Sequence, residues 1–312
     1  MPWQLALRLG ALMVCGGSCL MGSVGCARYD YELGGLPPPS AGGAGGSAGT
    51  GGLGPFSEPQ LITALSDPEA LDDDPSLTAD LLEIYFSSER EGGLGESDIW
   101  RSVRSSVDAD WAPPEHVPEL SSTAFDTSVA VAADGLAIWI SSTREGGVGG
   151  TDIWVSRRED RQSPWSEPVL EASLSSEDDE ITRYVSDVRA YLAARPIDTD
   201  PYDLFVAERT ESGEFGARTA LTELNTDGNE SDGFPVGELT LYLTSNREGS
   251  ELDDLYVSTR ASPDEPFADP ASLAELNSPE NDSDPWVSSD QRLIVFASER
   301  TDGQFDIYEA RR

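Results

Sequence analysis

Four short runs, Ile84-Tyr85-Phe86, Ile138-Trp139-Ile140, Leu241-Tyr242-Leu243 and Ile294-Val295-Phe296, are apolar on consecutive positions instead of alternate ones. A strand needs that pattern when both of its faces are buried. Each run is followed by a polar loop carrying Arg, then by an Asp, an Ile or Leu, and an aromatic, so that Glu83 to Trp100 reads as two strands joined by a tight turn. A fifth, less regular copy runs from Ala190 to Phe205. The motif Asp stands at 98, 152, 203, 254 and 306, a spacing of 51 to 54 residues, and self-similarity at that period belongs to propellers or solenoids.

The rest of each repeat supplies two more strands. One opens after an aromatic signature (Trp111, Trp165, Phe215, Phe267), and another follows an Asp-rich loop at Asp126, Glu180, Asp232 and Asp284. Four strands are the content of one propeller blade. Phe56-Ser57-Glu58-Pro59 matches Trp165-Ser166-Glu167-Pro168, yet no hairpin precedes it, while the last hairpin ends at Arg312 with no such segment after it. The first segment therefore supplies the missing strand of the last blade, which closes the ring and removes a sheet edge. Residues 56–312 number 257 and hold five periods, which predicts an all-β, five-bladed β-propeller of four-stranded antiparallel blades.

Residues 1–25 read as a secretory leader, with Arg8 as the only charge and an apolar stretch broken by Gly16-Gly17-Ser18. Ser23-Val24-Gly25-Cys26 resembles a bacterial lipobox, which implies lipidation at Cys26, and Ala27 then favours the outer membrane; without lipidation the protein is secreted. Residues 26–55 form a Gly/Pro/Ser-rich tether, and residues 56–312 form the folded domain. The expected location is the cell envelope, on the periplasmic or surface face, with membrane contact only through the anchor. The three cysteines, Cys15, Cys19 and Cys26, exclude a disulfide framework in the mature chain.

A net charge of -38, from 20 basic and 58 acidic residues, repels nucleic acid and anionic lipid and keeps the surface solvated. The Ser-x-Arg-x-Gly-Gly loop followed by Asp-Ile-Trp resembles the TolB-like family of WD-type propeller repeats. That resemblance implies a bacterial envelope lipoprotein that binds an envelope protein or a cell-wall glycan, often as an accessory module and rarely with a known reaction; a monomer is expected. The third copy departs from the pattern, with Pro196 to Tyr202 in place of the glycine loop, and Asp198, Asp200 and Tyr202 are the expected specificity residues there.

The once-per-blade Arg90, Arg144, Arg195, Arg247 and Arg300 lie near loop carboxylates, either as structural ion pairs between blades or as a top-face grip on a carboxylate or sugar acid. Asp98, Asp152, Asp203, Asp254 and Asp306 begin strands after loops and read as turn locks that accept backbone N–H groups. The loops at Asp227 to Asp232 and Glu280 to Asp284 suggest calcium but complete no known calcium loop, so no metal and no cofactor is expected. His116 is the single histidine and reads as a surface residue. The reading is a non-catalytic scaffold acting through its top-face loops. The alternative is a carbohydrate-active hydrolase built on channel carboxylates such as Asp126, Glu180, Asp232 and Asp284, and a calcium-stabilised module is third.

Overall fold

The computed structural model describes residues 52–197, 201–250, 252–301 and 303–312. The leader, Cys26, nearly all of the tether, Asp198 and Asp200 lie outside the described residues.

Twenty strands form five four-stranded antiparallel sheets. In chain order, β1 is Gln60–Leu61, and blade 1 holds β2 Asp72–Leu77, β3 Glu83–Ser88, β4 Asp98–Val103 and β5 Glu115–His116. Blade 2 holds β6 Asp126–Val131, β7 Ala137–Ser142, β8 Asp152–Arg157 and β9 Val169–Leu170. Blade 3 holds β10 Asp179–Val185, β11 Arg189–Arg195, β12 Asp203–Glu208 and β13 Thr219–Ala220. Blade 4 holds β14 Glu230–Val236, β15 Thr240–Ser245, β16 Asp254–Thr259 and β17 Ala271–Ser272. Blade 5 joins β18 Asp282–Val287, β19 Leu293–Ser298 and β20 Asp306–Arg311 to β1.

That last sheet closes the ring as the terminal match requires. Gln60 pairs with Glu309 and Leu61 with Tyr308, and Ser57 N–H donates to Arg311 O at 2.7 Å. The innermost strands touch in sequence around the axis, with β18 against β2. The second strand of each blade packs against its neighbours on both faces, which is why Ile84, Tyr85 and Phe86 are all fully buried.

One Arg per blade staples the outer segment to the inner turn. Arg104, Arg158, Arg209, Arg260 and Arg312 lie over Trp111, Trp165, Phe215, Phe267 and Phe56 at 4.1 to 4.5 Å. The aromatic signature is thus the platform for a cation that reaches back across its own blade.

Every innermost strand carries an irregularity in its pairing with the second strand. In four blades the residue in that bulge is left-handed although it is not glycine: Asp74 (φ 56°), Ser128 (φ 47°), Asp232 (φ 55°) and Asp284 (φ 58°). Such a bulge kinks the strand and re-aims one side chain per blade, and non-glycine residues held this way gather at functional sites.

Candidate active site

Two rings of polar residues surround the axis, and the sequence does not separate them at a glance. The first ring begins each innermost strand: Asp72, Asp126, Glu230 and Asp282 pair with Arg90, Arg144 (2.5 Å), Arg247 (3.4 Å) and Arg300 (2.5 Å). Each pair closes within one sheet, since the Arg follows the second strand of the same blade. Each Arg also accepts help from the strand-end Ser88, Ser142, Ser245 or Ser298, whose hydroxyl receives its Nε–H, and donates to a loop carbonyl. The guanidinium lies over the motif aromatic, as Arg144 does over Trp154 at 5.5 Å. In blade 3 the pattern changes: Arg218 takes Glu180 (2.7 Å), while Arg195 pairs with Asp179 (3.4 Å) and lies over Tyr202 (4.3 Å).

The motif aspartates hold the hairpin loops. Asp98 Oδ2 accepts N–H bonds from Leu94 (2.8 Å) and Gly95 (3.0 Å), and Asp152 Oδ2 from Val148 (2.8 Å) and Gly149 (3.1 Å). A Cβ on Gly93 would lie 2.0 Å from Asp98 Oδ2, so only glycine lets the loop fold over the carboxylate. Asp254 accepts from the Ser250 hydroxyl, and Asp203 and Asp306 open β12 and β20. His116 sits on β5 with Nε2 3.5 Å from Asp98 Oδ1.

The second ring is the bulge position: Asp74, Ser128, Arg183, Asp232 and Asp284. Asp74, Asp232 and Asp284 are 4%, 5% and 8% exposed, and one oxygen of each lies within 4.8 Å of the others. Arg183 reaches across them. It donates to Asp74 Oδ1 (2.8 Å), Pro75 O (3.0 Å) and Asp284 O (3.3 Å), and its Nε lies 3.9 Å from Asp284 Oδ1. Asp74 Oδ2 also accepts from Ser87 (2.9 Å), Thr127 and Ser128 N–H (2.8 Å).

These surroundings drive the acids apart. Burial pushes the Asp74 carboxyl up, but Arg183, Thr127 and Ser128 together outweigh it and hold Asp74 below the ordinary range. Asp284 is held well above that range by burial and by the charges of Asp74 and Asp232. Asp232 is raised by burial, against Arg183 and with Asp74. Half-buried Asp73, whose carboxyl accepts from Ser87, is also held well above the range by burial and by Asp74.

A hollow of about 590 Å³ opens on the loop face between blades 3 and 4, lined in part by Arg195, Tyr202, Asn229, Asn246 and Asp253. Burial and the charge of Asp232 push Asp253 up to about 6. Two residues expected from the sequence, Arg195 and Tyr202, therefore meet there an acid that sequence reasoning did not single out. Arg183, Asp253 and Ser128 were not foreseen, and the available signal was positional: each bulge residue lies two or three places after the Arg-paired acid. Among the described residues, Asp74, Asp232 and Asp284 form the one group whose oxygens converge as a cation's ligands would. The Arg183 guanidinium already supplies positive charge at that point. In the two loops proposed for calcium, Glu230 and Asp282 are committed to Arg247 and Arg300.

No protein-family model and no curated protein matches this chain. Among solved structures, the endo-arabinase of Bacteroides thetaiotaomicron is similar at 13% identity with a TM-score of 0.57, over 82% of this chain and 97% of that one. A GH43_1 enzyme from Xanthomonas citri complexed with xylose is similar at 14% identity with a TM-score of 0.52, over 81% and 89%. At these identities the likeness is one of fold. It nonetheless corrects the expectation of a TolB-like, WD40-type lipoprotein, because these two similar structures are glycoside hydrolases. The loop motif behind that expectation, Arg over an aromatic with a carboxylate-locked turn, is the internal bonding of a hairpin and carries no family with it. The expectation of a non-catalytic, non-enzymatic scaffold is corrected with it. The acids clamped by Arg recur in every blade, whereas the bulge acids occur in blades 1, 4 and 5 only, with Ser128 and Arg183 in the others.

Proposed function

We propose that this chain is a carbohydrate-active hydrolase that uses the channel carboxylates Asp74, Asp232 and Asp284. The observation that carries the reading is the convergence of three carboxyls within 4.8 Å whose environments set opposite proton preferences. Glycoside hydrolysis needs one carboxyl that keeps its proton and one that gives it up, at close quarters.

Asp284 is the proton donor: as the glycosidic C–O bond breaks, its proton passes to the departing oxygen. Asp232, raised by burial yet drawn back by Arg183, lies as close to Asp284 as a double-displacement pair requires: its carboxylate bonds to the anomeric carbon as the glycosidic C–O bond breaks, and water then displaces it, giving its proton to the Asp284 carboxylate. Asp74, saturated by hydrogen bonds, is the fixed negative charge that keeps Asp284 protonated. The hollow beside Asp253 offers Tyr202 as an aromatic wall and Asn229 and Asn246 as amide partners for sugar hydroxyls. Export, with Cys26 as anchor or without it, would bring this site to glycans of the envelope or its surroundings.

Incubation with a panel of arabinan, xylan and cell-wall glycan, read by release of reducing ends, tests the reading. Release from at least one glycan, lost in Asp232→Asn, is expected. No release from any, or equal release by the variant, rejects it.

A further inference from the structure

The loop face is one end of the channel; the turns between first and second strands form the other. There a cavity of about 870 Å³ opens, a size typical of small-molecule sites. Trp139, Tyr184, Phe234 and Trp286 contribute its apolar wall, and Arg183 stands between it and the acids. The polar groups of this wall are unusual in being donors without acceptors. Arg183 Nε and Trp139 Nε1 are buried with no hydrogen-bond partner.

A third such donor arises from a break in the repeat. In the other four blades the stapling Arg sends its Nε–H to a turn carbonyl at 2.7 Å: Arg104 to Leu81, Arg158 to Gly135, Arg260 to Glu238 and Arg312 to Gln291. In blade 3, Arg209 reaches Ser186 O through Nη2 at 3.3 Å, and its Nε is left without an acceptor at the cavity wall. At the mouth, Arg157 is exposed and its guanidinium has no protein partner among the described residues. The lining holds four Arg, of which Arg158 is committed to Glu83 (2.7 Å) and Arg183 to Asp74 (2.8 Å), so that Arg157 and the Arg209 Nε are the donors left open to a ligand. A cavity with open donors on an aromatic wall fits an acceptor group on an apolar body, and a carboxylate is the acceptor that a guanidinium favours most.

We propose that this cavity binds a small carboxylate with an apolar body, independently of what the acids on the other side of Arg183 do. Benzoate is the probe, with benzyl alcohol as its neutral counterpart and xylose as the sugar, measured on the full chain by calorimetry and ligand-observed NMR. Saturable benzoate binding is expected, with benzyl alcohol weaker by about tenfold or more. Arg157→Gln, at an exposed site, is expected to weaken benzoate by about tenfold. Ala133→Trp, which fills the mouth from an exposed position, is expected to abolish binding while the melting temperature holds. Failure of benzoate to saturate, equal binding of benzyl alcohol, binding of xylose alone, or unchanged binding by Ala133→Trp would overturn the proposal.

Discussion

Replacing Asp284 with Asn is expected to lower turnover on a responsive glycan by about 10²- to 10⁴-fold, the contribution of a positioned proton donor. The substitution is nearly isosteric with a carboxyl that already holds its proton. Burial and two neighbouring negative charges keep Asp284 in that form, and an Asn amide still donates where the protonated acid does. The backbone at 284 is left-handed, φ 58°, and Asn is among the few residues that accept this. The melting temperature should therefore barely move while the activity falls, which separates loss of the proton from loss of the fold. A variant with both activity and stability intact would remove Asp284 from the reaction.

Arg183→Met is expected to have the largest effect on stability, a loss of about 3–5 kcal/mol, as when one partner of a buried charge pair is removed. The side chain comes from blade 3 but donates to Asp74 and Pro75 of blade 1 and to the Asp284 carbonyl of blade 5. Its loss leaves Asp74 buried and charged without a cationic partner. The pH dependence has a definite sign. Asp74 is held below its ordinary range, so the stability it brings is present above the unfolded value and fades as pH falls through the folded one. The gap between native and Arg183→Met proteins should thus narrow on acidification, and Asp74→Asn combined with Arg183→Met should recover part of the loss. Chemical denaturation of the three proteins across pH reads both effects, and a gap that widens in acid would contradict them.

The architecture was legible because a blade is local in sequence. The motif Asp recurs every 51 to 54 residues, and a segment beginning at Phe56 has a visible partner in the repeat it completes. The site was legible only in part. Asp232 and Asp284 stood out, and Asp74 lay within an acidic run, but nothing in the letters separates the acids clamped by Arg from those turned into the channel. That separation is made by the bulge, where a left-handed residue two places after the clamped acid changes the direction of one side chain. In blade 3 the pairing slips between Thr182 and Tyr184, so the bulge position falls on Arg183, three places after Glu180. Asp253 was invisible for another reason: it precedes a motif Asp and looks like part of the loop, and only the folded ring brings the charge of Asp232 to bear on it.

Carbon-13 NMR titration of protein labelled at its Asp carboxyls, native beside Asp284→Asn, tests most directly whether the channel acids hold unequal protons. The account predicts a carboxyl resonance in the native protein, missing from the variant, that titrates well above the ordinary Asp value of about 3.9, together with an Asp253 midpoint of about 6. If every carboxyl is ionised by about pH 5, as unperturbed aspartates are, no member of the cluster retains a proton to donate, and the account is contradicted.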